Sequence, residues 1–511
     1  MNGIQLGLFA NRVAAVCDEM GAILRRTAFS PNIKDRLDYS CAVFDTAGGL
    51  VAQAAHIPVH LGSMAYAMAD IVDAVAWEPG DMLVLNDPFL GGTHLPDVTL
   101  IAPVFFDGVL GAFVANRAHH ADIGSESPGS MPLSTALEQE GLLIAPAKLL
   151  ERGNPSPSVL ALLNQLDSAD GTQLHGDFAA QASANKTGVE RVHALMEQYG
   201  GLAAFDAAVT SLNDYAERLA RATLEMTPDG CWQAIGMMDD DGAGTQNLCI
   251  AVRVTIDGSD VICDFSGTDE QVRGNVNCPL PVTAAAVYYA IRCLLPSSIP
   301  QCAGAFRPVR LTAPVGSLVN AQRPAAVAAG NVETSMRIVD AVFDALAQAM
   351  PERIPAASQG TMNNVAMGTH GEWHYYETIA GGAGAAKNYA GASGVHTHMT
   401  NTLNTPVESL ETHYPLRIQR YALRAGSGGV GRFPGGDGVV RVFEFLEDTE
   451  VTLITERRRY APPGAAGGGD GACGENRLNE QPLGPKSQFR ARCGDVLCVA
   501  TPGGGGWGKP E

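Results

Sequence analysis

The stretch DVTLIAPVFFDGVLGAFVANRAHH, residues 97–120, decides how the chain begins to fold. Val98–Phe106 is rich in β-branched and aromatic residues, Asp107-Gly108 suits a two-residue hairpin turn, and Val109–Ala115 reads as the return strand. Pro103 inside the first run predicts an edge position or a bulge, because proline cannot donate to a ladder. With a plain two-residue turn, Asp97 sits opposite Ala118. With a glycine bulge it faces His119 directly. Either register brings His94, Asp97 and one of the adjacent pair His119-His120 to the open end of one hairpin.

Working outward, the loop Gly91-Gly92-Thr93-His94-Leu95-Pro96-Asp97 feeds the first strand. Two imidazoles and a carboxylate that leave coordination positions free suit a catalytic divalent metal better than a sealed structural one. Such an ion brings the pKa of water from about 15.7 towards about 7 and polarises carbonyls, and both effects suit attack on an amide or activated acyl carbon. The bland alternative is local hydrogen bonding at a hairpin mouth. Asp122, just beyond the histidine pair, reads as a second-sphere partner or an alternative ligand. Asp38, ahead of the strand-like Tyr39–Phe44, reads by itself as a turn residue. His56 and His60 flank Pro58 and are core or substrate-contact residues. His396 and His398 would share a face on a strand and form a second polar site. Glu377 and Arg457-Arg458-Arg459 offer polar contacts, although a solvated charge run is the better reading of the arginines.

Along the rest of the chain, Phe9, Val13, Val16, Met20 and Ile23 recur at helical spacing and predict an amphipathic first helix rather than a secretion signal. Helix is also expected over 184–224 and 338–349, and a second hairpin at Ala251–Ile256 with Asp257-Gly258 as its turn. From about Pro355 glycine concentrates, as in Gly381-Gly382 and Gly435-Gly436, which predicts a β-rich region with many turns. The expected class is α+β. The expected division is 1–227, a mixed part with antiparallel hairpins that carries the metal site; 228–354, an α+β part; and 355–511, glycine-rich and β-rich.

The chain has 511 residues, 46% hydrophobic and 17% charged, a core-forming composition. A net charge of −20 disfavours nucleic acid and anionic membrane as partners. Its 11 cysteines are odd in number and lack repeated spacing, so a reducing cytoplasm fits best. There is no GxxxxGK[ST] phosphate loop, no GxSxG elbow and no HExxH. Gly426–Gly431 fits GxGxxG, but Phe433-Pro434 follows and no helix opens there.

Several longer stretches resemble the hydantoinase B/oxoprolinase family. They include Asn86–Asp97, Ala118–Gly124, Pro128–Pro132, His56–Gly62, Gly330–Ser335, Ser358–Asn364, Thr397–Thr402 and Thr501–Gly506. The resemblance implies a catalytic subunit of an ATP-dependent cyclic-amide hydrolase acting on 5-oxoproline, a hydantoin or another lactam. It implies a hydantoinase A-type partner that uses the ATP, hence a hetero-oligomer, and a divalent metal (Zn, Mn or Fe). It places that metal on His94, Asp97 and His119, with Asp38 joining, and leaves His120 or Asp122 to orient ligands or move protons. The alternatives are an ATP-dependent ketone carboxylase component and a non-catalytic scaffold for the ATPase.

Overall fold

The computed structural model describes residues 2–54, 57–166 and 171–510. The hairpin lies at the centre of a seven-stranded sheet. Its strands are β1 (Tyr39–Phe44), β2 (Leu50–Gln53), β3 (Met82–Leu85), β4 (Asp97–Phe106), β5 (Val109–His119), β6 (Ala147–Glu151) and β7 (Asn154–Pro155). Their order is β2-β1-β5-β4-β3-β6-β7, with every neighbouring pair antiparallel. Alternate residues enter two different cores. Cys41, Val43, Val98, Leu100 and Val114 pack with Phe9, Val13 and Met20 of the first helix, Gly3–Thr27. Ala42, Phe44, Ile101 and Phe113 pack with Met64, Ala67 and Met68 of the helix His60–Ile71. Burial on both faces explains why these strands read as nearly continuous apolar runs.

The register combines both sequence expectations. Asp107 (φ 49°) and Gly108 (φ 79°) form a two-residue turn with both residues in the left-handed region. Phe106 pairs with Val109 and Phe105 with Leu110, but Val104 pairs with Ala112, so Gly111 is an extra residue in a bulge. From there the ladder runs to Asp97 opposite His119. A side chain at Gly111 would meet Leu202 Cδ1 at 2.7 Å and Met196 Cε at 2.8 Å, so the helices Gly171–Tyr199 and Leu202–Leu224 hold the bulge closed. Pro103 lies on an interior strand of the sheet, yet it obeys the edge rule locally. The partner strand β3 reaches only as far as Ile101, so no ladder is broken on that side.

A second sheet (Gly230–Asp240, Gln246–Asp257, Asp260–Asp264, Val309–Thr312) carries the expected hairpin at 257–258 and packs on the helix Ser335–Ala349. Two further antiparallel sheets fill the C-terminal part, making the fold α+β. The largest apolar core draws on residues from both sides of 228, and a smaller core lies within residues 365–499. The glycine runs do not serve mainly as turns. Gly382, Gly436 and Gly504 all lack positive φ and instead pack backbone on backbone: Gly504 N donates to Gly436 O at 2.9 Å, and a Cβ on Gly504 would lie 2.0 Å from Ala383 O. No helix among the described residues is long and apolar enough to cross a membrane.

The loop before β4 has two positions without room for a side chain, Gly91 and Gly92, and Gly91 is the tighter. Gly91 has φ +82°, and an added Cβ would sit 2.1 Å from both N and Cα of Ala67. Gly91→Ala should therefore destabilise the protein by roughly 2–4 kcal/mol, from left-handed strain plus overpacking. Chemical denaturation measures this, and an unchanged midpoint would contradict the packing of the helix His60–Ile71 on this loop.

Candidate metal centre

Three ligand-type atoms meet where β4 begins and β5 ends. His94 Nε2 lies 3.2 Å from His119 Nδ1 and 3.3 Å from Asp97 Oδ1, and His119 Nδ1 lies 3.2 Å from that same oxygen. Dividing the edge of this near-equilateral triangle by √3 puts each atom about 1.9 Å from its centre, just inside the ordinary metal–nitrogen distance of about 2.0–2.1 Å. All three residues are buried. Hydrogen bonding alone accounts poorly for the triangle. The two facing ring nitrogens can each donate to the carboxylate, but their own 3.2 Å contact then sets donor against donor. A cation among the three atoms makes every contact favourable, so the donor set fits a divalent metal of the Zn, Mn or Fe kind.

Local structure fixes each member. The Asn86 side chain ties the loop to its surroundings, donating to Leu95 O (2.8 Å) and Leu142 O (2.9 Å) and accepting from Ile144 N (2.7 Å). Asp97 turns its other oxygen, Oδ2, away from the pair of histidines. That oxygen accepts from Thr93 Oγ1 and lies 3.2 Å from His60 Nε2, and His60 Nδ1 lies 3.0 Å from Ser40 Oγ. Arg117 is buried with all three guanidinium nitrogens engaged, on Thr99 Oγ1, Ser63 Oγ and Gly91 O, and so locks β4, β5, the helix His60–Ile71 and the glycine turn together.

Burial works against the Asp97 carboxylate, but the neighbouring His94 and His60 and the hydrogen bonds from His119 and His60 outweigh it and hold its pKa well below the usual range. Burial is the largest single influence on His94 and pushes it down, but the charge and hydrogen bond of Asp97, with the charges of Asp38 and Glu140, together leave it raised. His119 ends lowered, because burial dominates there. The site therefore holds a fixed negative charge next to one imidazole kept neutral.

The narrow cavity over the triangle is walled on the other side by the C-terminal part. The Tyr376 ring stacks on His119 (centroids 4.9 Å apart, 16° between planes), and Thr378 and Met399 lie beside it. Asn331 comes from a π-helical turn, Gly330–Thr334, and lines the cavity with a buried Oδ1 that has no hydrogen-bond partner. Such turns are frequent at functional positions. Asp38 also lines the cavity. Its backbone oxygen accepts from His119 N at 3.0 Å, but its carboxylate is not among the three converging groups and lies 3.8 Å from Arg36 Nη2.

The structure separates His120 and Asp122 from the triangle. His120 Nε2 lies 2.9 Å from Gln181 Oε1, and its ring packs on Phe178. Asp122 lies 3.2 Å from His374 Nε2 and accepts from Ser130 Oγ at 2.7 Å. Both line a different, open cleft. His396 and His398 are not on a strand; His398 lies 3.6 Å from Asp340, while neither ring nitrogen of His396 has a hydrogen-bond partner. His56 lies outside the described residues. Glu377 is fully buried against Arg441 at 2.8 Å, so it is structural. The arginine run is solvated only at its end: Arg459 is exposed, whereas Arg457 pairs with Asp340 at 2.6 Å and Arg458 donates to Asn363 and Asn476, partners that lie elsewhere in the chain. Residues that sequence reasoning misses are Tyr376, Asn331 and Arg36, whose role is tertiary. His60 stands out by its motif, but its contact with Asp97 is tertiary too.

Behind Tyr376 sits a buried acid. Tyr376 Oη donates to Asn364 Oδ1 (2.8 Å), and Asn364 Nδ2 donates to Glu333 Oε1 (2.7 Å). Burial and the charge of Glu456 push the Glu333 carboxyl up to about 8.

Comparison with known proteins gives a consistent picture. The family model described as Hydantoinase B/oxoprolinase matches residues 2–510. The chain is 39% identical to 5-oxoprolinase 1 of Arabidopsis thaliana over 99% of its own length but spans 42% of that protein. It is 33% identical to the putative B-type component of a D-/L-hydantoinase from a Pseudomonas strain, covering 97% of the chain and 88% of that protein. The crystal structure of the ATP-dependent caprolactamase from Pseudomonas jessenii superposes with a TM-score of 0.92 at 28% identity, over 100% of this chain and 91% of that one.

Two outcomes follow from the geometry. His60→Ala removes a group that orients Asp97 without belonging to the triangle, so metal affinity should weaken roughly 10–100-fold; chelator competition measures this, and wild-type affinity would contradict the assigned role. Glu333 holds a proton in the folded chain, between about pH 4.5 and 8, that the unfolded chain has released. The contribution of Glu333 to wild-type stability should therefore fall with rising pH through that window, and Glu333→Gln should gain on wild type by about 1.4 kcal/mol per pH unit. A stability difference that stays flat between pH 5.5 and 7.5 would show that Glu333 is ionised when folded.

Proposed function

The chain belongs to the hydantoinase B/oxoprolinase family, and we propose that it is the metal-dependent, ring-opening part of an ATP-dependent cyclic-amide hydrolase. The observation that carries this reading is the buried triangle of His94 Nε2, Asp97 Oδ1 and His119 Nδ1. A divalent cation held there would supply Lewis acidity, favouring loss of a proton from water and stabilising negative charge developing on a carbonyl oxygen.

The chain's own residues then have separable tasks. His60, Thr93 and Ser40 fix one face of Asp97 so that its other oxygen keeps its aim. Tyr376 holds the plane of the His119 ring by stacking. Asn331 Oδ1, unpaired in the cavity wall, accepts the ring N–H of a cyclic amide and so orients its carbonyl carbon towards the triangle. Asp38, facing the triangle at one remove, joins the ligand set or takes a proton from the attacking water. His120 and Asp122 line the neighbouring cleft, away from the triangle. The cavity between triangle and Tyr376 is narrow, so a ring enters when the C-terminal wall of Tyr376, Thr378 and Met399 draws back.

A lactam is a resonance-stabilised amide with a poor leaving group. ATP used by a hydantoinase A-type partner activates it, and the activated ring is passed to this chain. The chain has no phosphate loop of its own, in keeping with a divided task. It spans 88% of a protein named as one component of a hydantoinase and 42% of a plant 5-oxoprolinase.

The test is co-expression with such a partner and assay on 5-oxoproline, a hydantoin and caprolactam, reading phosphate release and ring-opened product together. Stoichiometric opening of one ring is expected, with a loss of more than roughly 100-fold in His94→Ala and no incorporation of labelled bicarbonate. Full activity in His94→Ala would reduce the chain to a scaffold, and label in the product would make it a carboxylase.

A further inference from the structure

The Arg36 guanidinium is fully buried but only partly used. Its Nη1 donates to Asn32 Oδ1 (3.1 Å) and Tyr376 O (2.7 Å), while Nε and Nη2 have no hydrogen-bond partner. The nearest counter-charge is Asp38 Oδ2, 3.8 Å from Nη2 and beyond hydrogen-bond reach. Arg117, equally buried, uses all three of its nitrogens. Charged N–H groups left unpaired in an interior are costly, so their persistence calls for a partner. Nε and Nη2 form one edge of the guanidinium, a planar fork whose two parallel donors match the two oxygens of a carboxylate.

The surroundings repeat the pattern. Neither ring nitrogen of His396 is paired, and burial together with the Arg36 charge holds that ring down to about 4, so it stays neutral and can donate one N–H. Thr397 Oγ1 and Thr405 Oγ1 are likewise buried and unpaired. The location connects this group to the metal centre. The Arg36 guanidinium carbon lies 4.7 Å from the centroid of the Tyr376 ring, the same ring that stacks on His119. Thr405 also lines the open cleft.

We propose that the Nε/Nη2 edge of Arg36 binds an ionised carboxyl group on the substrate, which makes the ring opened by this protein a carboxylated cyclic amide. The inference rests on the ring-opening function given above and narrows its substrate class. A neutral ring leaves the fork unpaired and is selected against, because a site built to pair a charge rejects ligands that lack it. Arg36 is on this account a specificity-determining residue.

The experiment uses the full chain with its ATP-binding partner and two rings that differ only in the carboxylate, 5-oxoproline and 2-pyrrolidinone. Wild type should prefer the first. Arg36→Gln should raise KM for 5-oxoproline roughly 10–100-fold, leave that for 2-pyrrolidinone nearly unchanged, and keep its bound metal. Arg36→Lys retains the charge but loses the fork, and should show the same selective rise if the glutamine variant fails to fold. An equal loss on both rings, or loss of metal, would show that Arg36 only holds Asp38 in place and would overturn the proposal. If wild type opens neither ring, the ring-opening reading fails separately. Calorimetric binding of the two compounds to the chain then decides: preference for 5-oxoproline that disappears in the variant supports the carboxylate fork, and equal binding refutes it.

Discussion

Asp97 and His119 face each other because a single extra residue, Gly111, interrupts the β4–β5 ladder. Side chains alternate along a strand, so a slip of one position would set Asp97 opposite Ala118 and send His119 to the wrong face. Met196 Cε and Leu202 Cδ1 lie directly over Gly111, so a side chain there would have to push them aside. The packing of two helices on the far side of the sheet thus sets the register, and the register sets the chemistry at the hairpin mouth some eight residues away. The same alternation explains why His119 joins the triangle while its neighbour His120 points at Phe178 under the covering helix.

Around the hairpin, buried polar groups fall into two kinds. Arg117, Asn86 and the Thr93–Asp97–His60–Ser40 chain have their hydrogen-bonding capacity spent within the protein, and they make the loop and strands rigid. Arg36, Asn331 and His396 do not, and all three are gathered around or behind Tyr376, at the seam between the first sheet and the C-terminal part. Interiors seldom leave such groups unsatisfied, and the proposed carboxylate fork rests on those at this seam. Elsewhere the C-terminal part is tied to the helix Ser335–Ala349 by charge: Arg337 and Arg457 share Asp340. Buried ion pairs of this kind are costly to break one partner at a time.

Much of this is legible in the sequence, for reasons of range. The hairpin, its turn and the convergence of His94, Asp97 and a following histidine are local, and local periodicity reports them. The choice of register is not local: Gly111 shows its bulge only when the helices from 171 to 224 are packed against it. The link from His60 to Asp97 spans two elements, and Tyr376, Asn331 and Arg36 reach the site from segments hundreds of residues apart, which spacing cannot reveal. Arg457 and Arg458 read as part of a solvated run because their partners lie elsewhere in the chain. The C-terminal glycines read as turns, yet Gly436 and Gly504 serve close backbone approach, a use of glycine that composition cannot distinguish from the other.

If three atoms at the end of one hairpin bind one cation, the ion should be visible where they converge. Anomalous diffraction decides this, using crystals of the protein purified without added chelator and data collected on either side of the absorption edge of its bound metal. One strong difference peak is expected, about 2.0–2.2 Å from His94 Nε2, His119 Nδ1 and Asp97 Oδ1. A peak ligated by other residues, or a fully active crystal lot with no peak at the hairpin mouth, would refute the assignment.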